Sequence, residues 1–159
     1  MLATIQKSEN GYIARFERNL KHSVENVWSM LTDNVKLREW FSELQVEDLR
    51  RGGTISFDMQ DGTFEKMIIT DFEMYSILEY TWAEDIVRFE INPNPDGCQL
   101  VLIEKITRIT GHTPKDLAGW HVCLDVIHAL LDDRIIESRE DEWKKWYEQY
   151  VAATEKILK

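Results

Sequence analysis

Three successive β-strands are predicted by residues 78–109, which read LEYTWAEDIVRFEINPNPDGCQLVLIEKITRI. Apolar and polar residues alternate along 78–82 and again along 87–91, and this period of two is typical of a strand with one buried face. The turn Pro95-Asp96-Gly97 then leads into a long run of strand-forming residues. Because the connections are short, we expect these strands to pair as an antiparallel meander.

The meander extends towards the N-terminus of the chain. Alternation over residues 55–59 stops at Asp61-Gly62, a dipeptide that favours a tight hairpin turn. We therefore expect a sheet of about six or seven strands. The remaining strands are predicted at about 12–19, 44–46 and 64–72.

Helical periodicity replaces the alternation on both sides of the meander. Before it, Ser23 can cap a helix with its apolar stripe over 24–31, and a second short helix covers about 35–41. After it, Thr113-Pro114 is a helix start, with Thr113 as the capping residue, and the apolar stripe that follows runs to about Leu131.

A last helix is predicted after Ser138, which can cap it. The order of one strand, two short helices, a meander and late helices predicts an α+β fold, with the helices on one face of a curved antiparallel sheet. A length of 159 residues is close to the modal size of a domain, so we expect one domain over residues 1–159.

Charge and composition exclude several classes of function. Nineteen Lys and Arg against 29 Asp and Glu leave a formal net charge of −10, which would repel nucleic acid and anionic membranes. Residues 1–9 lack the order of a signal peptide, and no apolar run is long enough to span a bilayer. Cys98 and Cys123 form no CxxC pair and suit a reducing compartment. A cytoplasmic protein without a nucleic-acid or membrane partner is expected.

Two stretches of the sequence resemble a known family. Residues 23–33, SVENVWSMLTD, followed by Trp40-Phe41 and Gly52-Gly53, are similar to the start of an AHSA-type domain. Residues 118–125, AGWHVCLD, are similar to the helix signature near the C-terminus of that domain. The family comprises bacterial relatives of the activator of the heat-shock chaperone ATPase, within the START-like (SRPBCC) superfamily. The resemblance covers nearly the whole chain and indicates a bacterial single-domain member.

The resemblance implies a helix-grip fold, in which a curved sheet wraps a long C-terminal helix and leaves an apolar cavity between them. Members of the superfamily use this cavity for lipids, hormones or polyphenols, and the cyclase branch uses it for polyketide chemistry. Relatives that stimulate the chaperone carry an additional N-terminal domain, for which 159 residues leave no room. The capped helix after Ser138 departs from many short members, so either late helix could form the cavity wall.

Aromatic residues carry the clearest functional signal. Six Trp, five Tyr and six Phe are many for this length, and an apolar pocket with a few convergent polar groups is the usual form of a small-molecule site. The alternative interpretation is that all these rings pack in a dry core. The candidates for lining the cavity are Trp40, Phe41, Phe57, Tyr80, Trp82, Phe89, Trp120 and Leu124.

A polar face is predicted on the first late helix. At about 100° per residue, four polar side chains fall within roughly 60° of one another: His121, Asp125, His128 and Asp132. Such a face could act as an acid and base, but a zinc site needs a further ligand, so no metal is expected. The alternative is a solvated edge with an i,i+4 pair. Cys123 lies nearer the apolar stripe and is expected to be an inert thiol rather than a nucleophile.

These patterns leave three functional hypotheses. The leading one is a binding module without a cofactor, whose apolar cavity holds a neutral hydrophobic or aromatic molecule, lipid-like or of the polyphenol or polyketide kind. The second is an enzyme of the polyketide cyclase or hydrolase type, with His121, Asp125 or a tyrosine as proton carrier. The third is a chaperone-associated role in the stress response or another protein interaction. Common nucleotide-binding, zinc-protease and serine-hydrolase motifs are absent, which favours the first.

Overall fold

Eight strands and four helices make up the chain, and the computed structural model describes all 159 residues. The predicted turn at Asp61-Gly62 joins two of the strands, and the predicted short helices follow the first long strand. In chain order the elements are β1 (Thr4–Ser8), β2 (Gly11–Leu20), α1 (Val24–Thr32), α2 (Asn34–Trp40), β3 (Leu44–Val46), β4 (Thr54–Asp58), β5 (Phe64–Glu73), β6 (Ile77–Trp82), β7 (Asp85–Asn94), β8 (Gly97–Ile106), α3 (Thr113–Leu131) and α4 (Arg139–Leu158).

All strands belong to one sheet in the order β1-β2-β8-β7-β6-β5-β4-β3. Strands β3 to β8 form the predicted antiparallel meander, and β2 closes onto β8 with Phe16 opposite Leu102. The α+β helix-grip prediction is confirmed, although the sheet has eight strands instead of six or seven. The additional strand is β1. Its sequence TIQKS lacks the alternation of apolar and polar residues from which a strand is predicted.

The helix held by the sheet is α3. Twelve of its 19 residues are buried, whereas α4 buries only Tyr150 and Thr154. The Trp120 ring of α3 packs on the inner face of β7, with its centroid 5.9 Å from that of Phe89. Helix α4 covers α3 from the other side. The C-terminal helix is therefore an outer layer, and the helix preceding it forms the wall that faces the sheet.

Local capping explains where the helices begin. Ser23 accepts the backbone N–H of Asn26, and Ser138 accepts the backbone N–H of Asp141, each at 3.1 Å, as predicted. The predicted cap at Thr113 is wrong. Thr113 is already the first residue of α3, and its hydroxyl accepts the backbone N–H of Thr110 in the preceding loop.

Charged residues of the central strands lie on the outer face of the sheet. The Arg88 guanidinium of β7 contacts carboxylates of three strands: Asp71 at 2.9 Å, Glu79 at 3.0 Å and Glu90 at 2.6 Å. Hydrogen bonds from Arg88 and Arg51 lower the pKa of Asp71 to about 2. Because strand residues alternate between faces, this network leaves the rings of β6 and β7 on the inner side.

One tyrosine connects α4, α3 and the N-terminus. The Tyr150 hydroxyl accepts the backbone N–H of Ala3 at 2.9 Å and lies 2.7 Å from Nδ1 of His121. His121 Nε2 lies 3.4 Å from the Asp125 carboxylate, which favours the tautomer with its proton on Nε2. We therefore assign Nδ1 as the acceptor of the Tyr150 O–H, while the hydroxyl oxygen accepts the N–H of Ala3. All three groups are buried, so no water replaces a lost partner.

We expect Tyr150→Phe to lower the free energy of unfolding by about 1–3 kcal/mol, because it leaves a buried N–H and a buried imidazole nitrogen without partners. Urea denaturation measures the change. Tyr147→Phe is the matched control, since Tyr147 is a half-buried tyrosine of the same helix that stacks on Trp143. Equal stabilities of the two variants would contradict the role given to the Tyr150 hydroxyl.

Candidate functional site

A cleft of about 630 Å³ opens beside the first half of α3. It is bounded by the end of α2, the end of β6 and the start of α4, so three element termini meet around one helix. The lining residues are Trp40, Phe41, Ser42, Glu43, Trp82, His112, Lys115, Asp116, Gly119, Trp120, Val122, Cys123, Arg139, Glu140 and Trp143.

Aromatic rings form much of the cleft wall. The ring centroids of Trp82 and Trp120 are 5.0 Å apart, and Phe41 lies 5.7 Å from Trp120 and 5.8 Å from Trp82. The three rings are tilted or edge-to-face, as aromatic pairs prefer. Trp40 and Trp143 add two further rings from α2 and α4. Phe41, Trp82 and Trp143 are half-buried and offer apolar ring surface to a ligand, while Trp40 and Trp120 are buried behind them.

The eight residues predicted to line a cavity are divided between the cleft and the core behind it. The cleft brings together Trp40, Phe41, Trp82 and Trp120. Three others are buried in the core, because α3 covers the inner face of the sheet and leaves no space there: Tyr80, Phe89 and Leu124. Phe57 is half-buried on β4 and outside the lining, with its ring 5.9 Å from those of Phe41 and Trp82.

Trp143 is a lining residue that the sequence did not assign to the cavity. It lies in the second turn of α4, and its indole N–H donates to the backbone carbonyl of Lys115 in α3 at 3.2 Å. The sequence predicts the helix that carries Trp143, but not which surface this helix covers. Arg139 and Glu140 also line the cleft, because the start of α4 lies at its edge.

Two carboxyl groups meet at one side of the cleft. Asp116 lines it, and its Oδ1 accepts the indole N–H of Trp82 at 2.9 Å. Glu104 of β8 lies behind, fully buried, with no donor on either carboxylate oxygen. Burial raises the pKa of Glu104 well above its usual range, and the nearby carboxylates of Asp116 and Asp85 raise it further. Burial therefore favours the uncharged, protonated form of Glu104.

Cys123 borders the cleft but is not an activated nucleophile. Its Sγ lies 3.7 Å from a guanidinium nitrogen of Arg139, and the same nitrogen donates to the carbonyl of Trp40 at 3.0 Å. Burial raises the pKa of the Cys123 thiol to about 12, although the Arg139 charge acts in the opposite direction. Cys98 is also buried and unpaired in a disulfide. Both thiols are thus held in their unreactive form.

We expect the folded protein to react only slowly with Ellman's reagent at pH 8, because neither buried thiol forms the thiolate readily. The same protein in denaturant should release two equivalents at once, one from each cysteine. A single fast equivalent in the folded state, lost in Cys123→Ala but not in Cys98→Ala, would contradict this description of the cleft.

The polar face predicted on α3 lies outside the cleft. His121 is fully buried under α4, where its ring stacks on Trp146 with centroids 3.9 Å apart. Its Nε2 lies 3.4 Å from Asp125, which in turn accepts from Arg18 of β2 at 3.1 Å. The expectation of a solvated edge is wrong for His121, because α4 and Tyr150 cover this face.

The remaining members of the polar face form a second, more exposed group. His128 lies 3.3 Å from Asp132, and Asp132 lies 2.6 Å from Nε2 of His22. No group of three or more His, Cys, Asp or Glu side chains is arranged to hold a metal ion. The face as a whole therefore connects α3 to its neighbours instead of facing a ligand.

We expect the free energy of unfolding to decrease as the pH falls from about 6.5 towards 3. Burial, with smaller effects from Arg18, the N-terminal amine and Lys145, lowers the pKa of His121 to about 3, while an unfolded histidine has a pKa of about 6.5. The unfolded state thus binds the extra proton in this window, so stability rises with pH and is lost on acidification. The full effect is about 3–5 kcal/mol.

Denaturation curves at several pH values measure this dependence. His121→Gln removes the titrating group, so its stability should change less between pH 6.5 and 3 than that of the unmodified protein. His128→Gln is the control, since His128 is half-buried on the same helix and does not contact Tyr150. A slope left unchanged by His121→Gln would refute the buried neutral state.

A family model places the chain among known proteins. The model described as Activator of Hsp90 ATPase homolog 1-like protein matches residues 21–132. The chain belongs to this family. The matched stretch begins just after β2 and ends just after α3. It therefore contains most of the sheet, helix α3, and the carboxyl groups of Glu104 and Asp116. The AHSA-type resemblance of the sequence is thereby confirmed, while α4 lies beyond the match.

Solved structures of other proteins share the fold. EF2215 from Enterococcus faecalis, a conserved protein of unknown function, is 24% identical with a TM-score of 0.85, over 98% of this chain and 91% of that chain. The protein encoded by BPP1335 from Bordetella parapertussis is 20% identical with a TM-score of 0.72, over 95% and 94% of the two chains. CalU16 from Micromonospora echinospora is 20% identical with a TM-score of 0.69, also over 95% and 94%.

Two further findings do not identify a ligand or an activity. No curated protein is significantly similar to the chain in sequence. No helix has the length and apolar character needed to cross a membrane. The family and the fold are thus shown, and the ligand and the activity have to be inferred from the site.

Proposed function

We propose that the protein binds a neutral, flat or hydrophobic small molecule, of the aromatic or lipid-like class, in the cleft beside α3. The observation that carries this proposal is the open volume of about 630 Å³ bordered by five aromatic side chains. Small-molecule sites are typically clefts of about 300–1,000 Å³ with apolar walls and a few polar groups. The cleft has both the size and the walls of such a site.

The charges around the cleft support a ligand without net charge. Lys115 and Arg139 lie on the same lining as Glu43, Asp116 and Glu140, so positive and negative side chains nearly balance. The net charge of −10 adds a long-range field that disfavours polyanions such as nucleotides. Two buried thiols without a disulfide suit a reducing compartment, which supports a cytoplasmic location.

Binding is better supported than the two other hypotheses. A cyclase or hydrolase using His121 and Asp125 would need them beside the ligand, whereas both lie under α4 and β2 and outside the cleft. A domain that only contacts other proteins does not need a cleft of this size, whereas this chain has one beside α3. A binding module is therefore the function that uses the observed space.

Gly119 provides a direct test of the cleft. It lies in α3 on the lining, and a Cβ added there meets nothing within 4 Å. Gly119→Leu should therefore fill the cleft without disturbing its neighbours. We expect the neutral fluorophore N-phenyl-1-naphthylamine to bind the unmodified protein with a rise in its fluorescence, and Gly119→Leu to weaken this binding at least tenfold.

Two variants control for effects on folding. Gly119→Ala adds only a methyl group, should bind the probe almost normally and should stabilise the helix by about 1 kcal/mol. Gly111→Leu places the same large side chain at another open glycine, outside the cleft, and should bind as the unmodified protein does. Displacement of the probe by a nucleotide but not by aromatic compounds would overturn the proposal, as would equal binding by Gly119→Leu.

A further inference from the structure

Two polar groups without a full set of partners border the same aromatic walls. The indole N–H of Trp120, a buried lining residue, has no acceptor in the protein. Asp116, one turn earlier on α3, is a lining carboxylate that accepts the indole N–H of Trp82. A buried donor without an acceptor is costly, so such groups usually point to water or a ligand.

Asp116 retains acceptor capacity for a ligand. A carboxylate offers about four lone-pair sites on its two oxygens, and Trp82 uses one of them. Glu104 is buried beside Asp116, whose carboxylate raises the pKa of Glu104, and we place the Glu104 O–H on a second of these sites. The remaining sites of Asp116 are those that the cleft can reach.

We propose that Asp116 and Trp120 form a hydroxyl-binding subsite of the cleft, which selects aromatic molecules that carry a phenolic O–H. This inference rests on the proposed function, because it assigns the polar group of the ligand bound there. The ligand hydroxyl donates its proton to Asp116, and its oxygen accepts the N–H of Trp120. One O–H group satisfies both protein atoms, while the flat body of the ligand lies against Trp82 and Phe41.

Glu104 is the positioning residue of this subsite. It reaches no lining surface itself and contacts the ligand only through Asp116. The N–H of Trp82 donates to the Asp116 carboxylate, and in this proposal the O–H of Glu104 donates to it as well, so that two donors fix the position of the carboxylate. Charge-assisted hydrogen bonds of this kind are stronger than neutral ones, so the preference for a donor should be pronounced.

The test compares three probes of nearly equal size by quenching of tryptophan fluorescence. 2-Naphthol both donates and accepts, 2-methoxynaphthalene only accepts, and 2-ethylnaphthalene does neither. We expect 2-naphthol to bind about tenfold or more tightly than 2-methoxynaphthalene, because the ether cannot donate a hydrogen bond to the carboxylate, and hydrogen bonds to charged groups are stronger than neutral ones. 2-Methoxynaphthalene should in turn bind more tightly than 2-ethylnaphthalene.

Matched variants assign the preference to its residues. Asp116→Asn keeps the shape and an acceptor for Trp82, and it should reduce the preference for naphthol over its ether to less than threefold. Glu43→Gln removes another carboxylate from the same lining and should leave the preference unchanged. Glu104→Gln should keep most of the preference, since its amide still donates to Asp116, whereas Glu104→Leu should lose it.

Infrared spectroscopy tests separately whether the Glu104 carboxyl group is protonated. The unmodified protein at neutral pH should show the infrared C=O stretch of a protonated carboxylic acid, and Glu104→Gln should abolish this band.

Each other outcome counts against the subsite. Equal affinities of naphthol and its ether for the unmodified protein would refute it even if Asp116→Asn fails to fold, and so would a preference that persists in Asp116→Asn. Absence of the carboxylic acid band would refute the role of Glu104. Binding of none of the three probes would overturn the proposed function together with the subsite, whereas tight but equal binding of all three would overturn the subsite alone.

Discussion

Helix α3 must be covered on two opposite sides, and the rest of the structure depends on this constraint. Trp120 faces the sheet and packs against Phe89, while His121, the next residue, lies under Trp146 and Tyr150 of α4. An apolar helix without a solvated stripe is stable only inside two layers. The sheet provides one layer and α4 the other, which explains why α4 can be so polar on its outer surface and still be held in place.

The cleft exists because this double cover is incomplete at one end of α3. There β6 ends at Trp82, α2 ends at Trp40 and α4 begins at Arg139. Each terminus brings one or two large side chains to the edge, but none of the elements continues across it. Phe41, Trp82 and Trp143 are half-buried at this edge, so they contribute both to the packing of the core and to the candidate site.

Charge is distributed according to the two faces of the sheet. On the outer face, Arg88 joins three carboxylates in a half-exposed network. On the inner face, Arg18 contacts Asp125, and burial together with the neighbouring Asp116 raises the pKa of Glu104, which favours its uncharged form. A buried carboxylic acid contributes little to stability compared with an apolar residue of similar size. Its position beside the cleft therefore suggests a use in binding.

Local patterns in the sequence determined most of the secondary structure and the fold class. The alternation around Tyr80 and the caps at Ser23 and Ser138 involve residues close together in the chain. The geometry of a strand or a helix fixes which of these residues share a face, so such patterns predict the elements directly.

Four of the eight predicted cavity residues reach the cleft. The tertiary structure alone decided that Phe89 packs behind Trp120, that α4 covers His121, and that Trp143 meets the cleft. It also brought Glu104 to Asp116, although Glu104 shares the parity of the buried residues of its strand. These outcomes depend on which apolar surfaces pack together over long separations in the chain, and periodicity shows that a face is buried without showing what buries it.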